Sequence, residues 1–335
     1  MKTQTSSLTR KTVDHLIYKY APILYFNTAE KYVMTGVDWL LERSNVVDNT
    51  THVAFQATPE NLPTGIENKF KYHLELHDSS VKPGDLSTAK AYVHAKRVKE
   101  KYLDLQFWFL YAFNGPGTAR VRSLLFGRTL HVGNSSLAPL GDHQGDWEHI
   151  TIRINTATSQ IEKVYFSQHS SGRWVEPNNL EWEGDRLVIY SSLNGHASYS
   201  KQGPNYTEHR RYTIPYIGTG LVFDLVNTTD KGQSLDCREK HQLVSAEFLP
   251  KQERPVEPIW LNFLNRWGKS DEAHLTSAAI RGIIKSALGP IVGKILEYGT
   301  ILEPLVELVL THFVKENQDG PTGPKAKEEW FGVED

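Results

Sequence analysis

The sequence contains a single cysteine, Cys237, in 335 residues. One thiol excludes an intrachain disulfide and a zinc site built from cysteines. No paired-histidine motif surrounds it, so we interpret Cys237 as a small core or surface residue rather than a nucleophile. Methionine is nearly as scarce, with 2 residues against 8 Trp, 15 Tyr and 13 Phe. This balance favours strands and packed aromatic layers over a helical bundle.

The sequence has no large excess of either positive or negative charge, and it has no long apolar run. A formal net charge of -2 gives no long-range attraction for phosphate, so no nucleic-acid partner is expected. The first residues, MKTQTSSLTRKTVDHLIY, lack the apolar stretch of a signal peptide. No run of about 18 apolar residues could cross a bilayer as a helix. We therefore expect a protein that is cytoplasmic or bound peripherally to endomembranes.

Motifs of several enzyme classes are absent as well. The sequence has no G-x-S-x-G elbow, no P-loop and no dinucleotide glycine fingerprint attached to a βαβ unit. The Asn-Gly-Pro-Gly turn at 114–117 is too generic to indicate a phosphate site. The absence of these motifs leaves open whether the protein is an enzyme.

Short β-rich runs fill the chain from Tyr20 to about Leu249. Several of them alternate apolar and polar residues, and turn residues such as Asn-Gly at 194–195 separate them. Strands at this spacing with few helical crossovers predict a mainly β fold, an antiparallel β-sandwich with a C-terminal helical segment packed on it. The clearest runs are 21–26, 89–98, 102–113, 148–154, 163–169, 186–192 and 241–249.

Four segments divide the chain. A polar arm, mobile or loosely docked, is expected over residues 1–18, and the sandwich with the candidate site over 19–250. A helical extension is expected over 251–318. A tail punctuated by Gly and Pro follows over 319–335, where the apolar Trp330 and Phe331 can anchor it to the core.

The helical extension is inferred from two runs. Residues 259–267 look helical, and residues 270–316 repeat apolar positions close to every 3.6 residues. Ser270 is a plausible N-cap, and the prolines in Gly289-Pro290 and at Pro304 divide the second run into two or three helices. These helices either cover one face of the sandwich or meet a membrane surface.

The chemistry-bearing residues concentrate in the segment Gly141–His149, GDHQGDWEH. Carboxylate oxygens and a neutral imidazole suit hard or borderline divalent ions. Gly141 and Gly145 mark a loop, and Glu148 opens the following strand. The segment holds five potential ligands, namely Asp142, His143, Asp146, Glu148 and His149.

Spacing selects among these five residues. Asp146 and Glu148 are two apart, so in an extended segment both side chains leave the same face, while Trp147 points the opposite way into the core. His143 can swing over the same spot from the loop. Two carboxylates at close range repel each other unless a cation or a proton lies between them. The alternative is a polar cluster neutralised by Arg153, Lys163 or loop amides.

Three histidines are candidates for a general acid or base. His149 lies in the segment itself, and His169 and His196 each follow a β-run beside small-residue turns. Both could sit at one rim of the sandwich near Asp146. The alternative for each is a hydrogen-bonded structural role.

Eight motifs in this chain resemble, in order, the vacuolar protein sorting-associated protein 62 family. The resemblance covers nearly the whole chain and is weakest in 50–88, 118–140 and 270–316. The name of that family reflects a link to vacuolar protein sorting and defines no activity. The motifs are YAPILYF (20–26), KYVMTGVDWL (31–40), YLDLQFWFLYAFNGPG (102–117), GDHQGDWEHITIRI (141–154), VYFSQHSSGRWV (164–175), VIYSSLNGHASY (188–199), VSAEFL (244–249) and GPTGPKAKEEWFG (320–332).

LQFWFLYAFNG, HQGDWEHITI, FSQHSSG and GHASY are more distantly similar to the motifs of necrosis- and ethylene-inducing peptide-like proteins. Those proteins are secreted cytolysins with an actinoporin-like β-sandwich. The His, Asp and Glu of their heptapeptide Gly-His-Arg-His-Asp-Trp-Glu hold a divalent cation that recognises sphingolipid head groups. The resemblance implies the same sandwich here, although this chain lacks a signal peptide and adds helices.

The heptapeptide transfers to this chain residue by residue. His143, Asp146 and Glu148 match its first His, its Asp and its Glu. Gly145 stands where the family has its second His, and Asn114 is a neutral substitute for an upstream Asp. The remaining correspondences are Trp147 for the Trp and an added carboxylate at Asp142.

These observations lead to two main hypotheses. The first is a binding protein in which His143, Asp146, Glu148 and Asp142 hold a divalent cation, Mg²⁺ or Ca²⁺ first and Mn²⁺ or Zn²⁺ as alternatives. The cation would engage an anionic or glycosylated lipid head group or a small polar ligand, with possible peripheral membrane contact. The second is a metal-dependent enzyme in which a histidine acts as general acid or base. A scaffold for trafficking partners with a purely structural cluster is the third reading.

Overall fold

The computed structural model describes residues 8–125, 128–168, 171–214, 219–269, 278, 281–282, 320–332 and 334. Its α-helices are α1 Arg10–Tyr20 and α2 Val37–Leu41. Short 3₁₀ turns include Ile259–Asn262, Pro324–Ala326 and Glu328–Phe331. The strands are β1 Ile23–Tyr25, β2 Ser44–Asp48, β3 Ala54–Gln56, β4 Tyr72–Leu76, β5 Ala91–Val98, β6 Tyr102–Asn114, β7 Thr118–Leu125, β8 Arg128–Ser136, β9 His143–Asn155, β10 Gln160–Gln168, β11 Ser171–Val175, β12 Glu181–Glu183, β13 Arg186–Ser191, β14 Ser198–Tyr199, β15 Gly203–Ile214, β16 Thr219–Thr229, β17 Ser234–Asp236 and β18 His241–Ser245.

Within this described part of the chain, the strands form four sheets. The central sheet has six strands in the order β11-β10-β9-β6-β5-β18. A five-stranded sheet follows the path β12-β13-β1-β17, with β14 added beside β13. The two smaller sheets have the orders β15-β16-β7-β8 and β3-β2-β4. Most neighbours are antiparallel, while β18 runs parallel to β5 and β1 parallel to β13. The predicted mainly β fold is confirmed.

The central sheet is buried on both faces. One face packs against the five-stranded sheet, where Phe107 and Ile150 meet Leu24 and Ile189 in one hydrophobic core. The other face carries a second core, to which Trp108 of the sheet and residues such as Trp260 contribute. This double coverage explains why β6 is an almost unbroken apolar run rather than an alternating one.

Pairing of β6 with β9 fixes which way each residue of β9 points. Tyr111 lies opposite Asp146, Leu110 opposite Trp147 and Phe109 opposite Glu148. Tyr111 and Phe109 belong to the core between the two large sheets, whereas Leu110 and Trp147 belong to the second core. The predicted alternation, with Trp147 pointing into a core away from the two carboxylates, is confirmed.

The start of β9 differs from the sequence prediction. Glu148 was expected to open the strand after a loop at Gly141–Gly145, yet β9 begins at His143. The strand extends further because β6 continues to Asn114, which pairs with His143. Gly145 lies inside the strand with φ +67, a left-handed conformation that glycine adopts without strain.

Residues 10–20 form a docked helix, where a polar arm was expected over 1–18. Helix α1 begins after Thr9, whose side chain accepts a hydrogen bond from the Thr12 amide at 3.3 Å. Val13, Leu16 and Ile17 are buried in the core between the large sheets. These apolar positions follow helical spacing, but the segment is polar on average, and its average polarity alone does not indicate a helix.

The chain after the sandwich is described only in part. Residues 259–267, expected to be helical, form the 3₁₀ turn Ile259–Asn262 and then a bridge at Arg266. The predicted helices over 270–316 fall outside the described residues apart from 278 and 281–282. Among the described residues, no helix is long and apolar enough to cross a membrane.

The tail and the single cysteine have clear positions. Trp330 is buried and anchors the tail in the second core, as predicted, whereas Phe331 is 72% exposed and does not. Cys237 is a buried free thiol in the core between the large sheets, which is the first of the two positions, core or surface, expected for it.

We predict that Trp147→Ala lowers the free energy of unfolding by about 3–5 kcal/mol, because it leaves a cavity among buried tryptophans. Trp147 packs on Trp260 and Trp267 at centroid distances of 5.7 and 5.2 Å. Urea denaturation followed by circular dichroism measures this loss. The matched control is Trp182→Ala, at a side chain 39% exposed on β12, which should cost less than about 1 kcal/mol. Equal losses in the two variants would contradict the assigned role of Trp147.

Candidate functional site

The predicted carboxylates lie where β9 starts, between the two large sheets. Asp146 and Glu148 are buried, with 5% and 6% of their surface exposed. His143, at the first position of β9, is only partly buried. The loop after β13 brings His196 to the same place. The sequence prediction that His196 lies near Asp146 at one rim of the sandwich therefore agrees with the structure.

His196 is held by contacts on both ring nitrogens and on the ring face. Nδ1 lies 2.9 Å from Oδ2 of Asp146, and Nε2 donates to the carbonyl oxygen of Tyr32 at 2.9 Å. The imidazole stacks on Tyr111 with a centroid distance of 3.8 Å. His196 also has φ +53, a left-handed conformation that is uncommon for a residue with a side chain. These contacts fix the ring firmly beside Asp146.

A buried carboxylate that sequence reasoning missed supports this loop. Oε1 of Glu30 accepts hydrogen bonds from the backbone amides of Lys31 and Tyr32, each at 2.9 Å. Its Oε2 accepts from the Asn194 amide at 2.7 Å and lies 3.8 Å from Nε2 of His196. The side chain is 1% exposed. Glu30 thus joins the loop between β1 and α2 to the loop that carries His196, and no local sequence motif marks it.

Asp146 is stabilised as an anion. Burial acts to raise its pKa, but the hydrogen bond from His196 and the charge of His196 outweigh burial and hold the pKa below its usual value. An ionised Asp146 accepts the proton on Nδ1 of His196 in a charge-assisted hydrogen bond. The negative charge at this position is therefore a permanent part of the site near neutral pH.

Glu148 has the opposite environment. Burial and the neighbouring charge of Asp146 raise its pKa well above the usual value. Among the described residues, its buried Oε2 has no hydrogen-bond partner. A buried carboxyl oxygen without a partner is costly unless a proton or a cation compensates it. Glu148 is consequently the group in the site that a cation would affect most.

His143 presents a neutral imidazole. Burial lowers its pKa, against the opposing charge of Asp146 and a hydrogen bond to the backbone. Nδ1 donates to the carbonyl oxygen of Gly145 at 2.8 Å. A neutral ring that donates through Nδ1 keeps the lone pair of Nε2, which is the form that binds metal ions.

Lys327 adds a positive charge from the tail, about 180 residues later in the chain. Its Nζ donates to the carbonyl oxygen of Trp147 at 2.8 Å. Its charge acts to lower the pKa of both Asp146 and Glu148. Sequence reasoning missed Lys327 because contacts this distant along the chain depend on the fold alone.

The other predicted site residues occupy different places. Asp142 lies in the turn before β9. Burial is the main cause that raises the pKa of the Tyr32 phenol, and the negative charge of Asp142 is the second. His149 points to the opposite face of the sheet, where it stacks on Trp108 at 4.3 Å, and so does not reach the carboxylates. His169 lies outside the described residues.

The departures from the heptapeptide have physical explanations. A Cβ at Gly145 would lie 2.2 Å from the carbonyl oxygen of Trp267, so no histidine fits at that position. Asn114 donates through its amide nitrogen to the carbonyl oxygens of Gly115 and Gly141, at 2.9 and 2.7 Å. Its amide therefore fixes the turns of the rim.

The alternative in which Arg153 neutralises the cluster does not fit. The Arg153 guanidinium donates to both carboxylate oxygens of Asp104, each at 2.9 Å, on the opposite face of the sheet. In the part of the chain that is described, no three His, Cys, Asp or Glu side chains are already arranged around one metal position. The chemical types of the donors nevertheless suit a hard divalent ion, since they are two carboxylates and one neutral imidazole.

We predict that Glu148→Gln stabilises the cation-free protein at high pH. The folded-state pKa of Glu148 is raised, so its contribution to stability falls as the pH rises above the usual glutamate value of about 4.5. Glutamine has no proton to lose. In a chelating buffer, its melting temperature should exceed that of the wild type by about 2 °C or more near pH 8, and the difference should vanish below about pH 4.

The control for this measurement is Glu60→Gln, at an exposed glutamate. It should follow the wild-type pH profile throughout. A Glu148→Gln profile parallel to that of the wild type would show that Glu148 ionises normally.

Comparisons with known proteins add the following findings. No curated protein sequence matches the chain. Necrosis and ethylene inducing protein 2, from the causal agent of cocoa's witches' broom disease, is similar in structure, with 16% identity, a TM-score of 0.29 and coverage of 66% of this chain and 71% of that one. NLPPya in complex with mannosamine has 13% identity, a TM-score of 0.32 and coverage of 56% and 65%. The model of the vacuolar protein sorting-associated protein 62 family matches residues 2–334, and the chain therefore belongs to that family.

Proposed function

We propose that this protein binds a divalent cation at His143, Asp146 and Glu148 and uses it to hold a sugar or a lipid head group. The observation that carries the proposal is the buried Oε2 of Glu148, which has no hydrogen-bond partner among the described residues and lies beside an ionised Asp146. A cation between the two carboxylates would remove their repulsion and satisfy this oxygen.

The donors available would suit Mg²⁺ or Ca²⁺ best. His143 would contribute Nε2, and Asp146 can bind a cation while one of its oxygens accepts from His196. Two carboxylates and few further protein donors leave coordination positions for ligand oxygens. Asp142, partly exposed in the turn before β9, would add negative charge where the ligand approaches.

A binding role is favoured over catalysis by the positions of the histidines. His196 has both ring nitrogens engaged, one by Asp146 and one by the Tyr32 carbonyl oxygen. His149 points to the other face of β9. Neither imidazole is therefore free to move a proton at a ligand bound to His143 and Glu148.

The ligand class follows from the chemistry of a partly open cation site. Hard cations bind hydroxyl, carbonyl and phosphate oxygens, so a polyhydroxylated or anionic head group is the fitting ligand. A head group on a lipid would bring the protein to a membrane surface without any membrane-spanning segment. Such peripheral contact accords with a family named after vacuolar protein sorting.

Cation binding is tested by thermal denaturation after treatment with chelator. We expect Ca²⁺ or Mg²⁺ at a hundredfold excess over Kd to stabilise the wild type by about 2.7 kcal/mol, because only the folded chain holds the ion. Glu148→Gln should lose this response, while Glu60→Gln should keep it. If no divalent ion, Mn²⁺ and Zn²⁺ included, raises the wild-type melting temperature, the proposed site does not exist.

Ligand binding is tested separately with two probes. Mannosamine, present in one similar structure, serves as the soluble sugar in calorimetry. Vesicles of phosphatidylcholine with a glycosylated sphingolipid serve as the membrane in flotation. Binding that chelator abolishes supports cation-dependent recognition, and binding that persists in chelator contradicts it. Cation binding without binding of either probe rejects the sugar and head-group ligands while retaining the metal site.

A further inference from the structure

The tail, residues 320–332 and 334, lies across the face of the central sheet that points away from the candidate site. Gln106 donates to the Glu329 carbonyl oxygen at 2.7 Å, and Trp174 donates to the Glu334 carbonyl oxygen at 2.7 Å. Trp330 stacks on His94 with a centroid distance of 3.8 Å. Two hydrogen bonds to backbone carbonyl oxygens of the tail and one aromatic stack therefore attach it to the sheet. The Glu334 side chain adds further contacts.

Glu334 inserts its carboxylate into this face. Oε1 accepts hydrogen bonds from Nε2 of Gln106 at 2.9 Å, from Nε2 of His149 at 3.3 Å and from the Thr151 hydroxyl. Nζ of Lys96 lies 3.8 Å from Oε2. The Glu334 side chain is fully buried. Three donors from two neighbouring strands therefore converge on one oxygen atom.

The donors belong to the sheet and not to the tail. Gln106 pairs with Thr151 across β6 and β9, and Trp108 pairs with His149 one step further along the same face. The His149 ring is fixed by its stack on Trp108. Side chains held on paired strands keep their geometry when a ligand leaves, which is how a preorganised binding site is built.

The neighbouring polar residues are already satisfied by one another. Asp104 and Arg153, opposite each other on the same face, form a two-pronged ion pair. Gln106, His149 and Thr151 instead direct their donors at Glu334. A buried donor left without an acceptor costs about 1–3 kcal/mol, so these three side chains require an anionic or carbonyl oxygen at this point.

The environment favours an ionised carboxyl. Burial acts to raise the pKa of Glu334, but the hydrogen bond from His149 and the charge of Lys96 outweigh it and hold the pKa below the usual value. Among the described residues, Oε2 accepts no hydrogen bond, and the Lys96 ammonium lies 3.8 Å from it. The site therefore has unused capacity at the second carboxylate oxygen.

We propose that Gln106, His149, Thr151 and Lys96 form a carboxylate-binding site, that Glu334 is its ligand within the chain, and that a carboxylate from solution can occupy it when Glu334 is absent. This site is separate from the cation site and does not depend on it. The class of ligand is defined by chemistry, since the donors surround one carboxylate and a cationic side chain neutralises it.

The test uses the full chain with Glu334→Ala and sodium acetate as the probe. Acetate should raise the melting temperature of this variant saturably, by about 2 °C or more relative to sodium chloride at equal ionic strength. Glu328→Ala, at an exposed glutamate of the same tail, should show no difference between the two salts. Glu334→Gln should respond much less than Glu334→Ala, because its amide oxygen already fills the site.

A double variant, Glu334→Ala with Thr151→Val, separates the site from a general salt effect. Losing one of the three donors should weaken the acetate response at least fivefold in apparent Kd. If Glu334→Ala does not fold in chloride, the same two salts are compared during refolding, and acetate should restore the near-ultraviolet circular dichroism. The proposal is overturned if acetate acts no better than chloride, or acts equally on the double variant.

Discussion

The long antiparallel pairing of β6 with β9 is the constraint on which the remaining structure depends. It runs without a register shift from Tyr102 opposite Asn155 to Asn114 opposite His143. Because side chains alternate along an extended strand, this register decides which residues of β9 enter each layer. A shift by one residue would exchange Asp146 and Glu148 with Trp147 and place two carboxylates among tryptophans. Burial of Trp147 therefore fixes the position of both acidic groups.

Charges in the candidate site differ in how well they are compensated. Asp146 has His196 directly bonded to it, and Glu30 is surrounded by backbone amides. Glu148 is equally buried yet has an oxygen without a partner among the described residues. A purely structural cluster would gain stability by satisfying that oxygen, because a buried polar atom without a hydrogen bond is destabilising. In the proposed function, a bound cation satisfies this oxygen.

Sequence patterns were sufficient to predict those strands and side-chain directions that depend on neighbouring residues alone. Alternation and apolar runs predicted β6, β10 and β13 and the inward direction of Trp147, since these depend on periodicity alone. They did not predict the sheet of β7, β8, β15 and β16, although residues 119–122 of β7 alternate apolar and polar side chains. Glu30, Lys327 and Glu334 were also missed, because each acts on residues distant along the chain. The long-range part of a site cannot be read from spacing within a motif.

The tail contacts β9 in two places. Lys327 lies against the Trp147 carbonyl oxygen with its charge directed to Asp146 and Glu148, and Glu334 accepts from His149 and Thr151 on the other face. One short segment thus places a cation at the β9 backbone between Asp146 and Glu148, and an anion on the face of β9 that carries His149 and Thr151. Dissociation of that segment would remove one positive charge from beside Asp146 and Glu148, and one negative charge from beside His149. The charge of Lys327 acts on Glu148 and on His149, so the tail links the electrostatics of the two faces of β9.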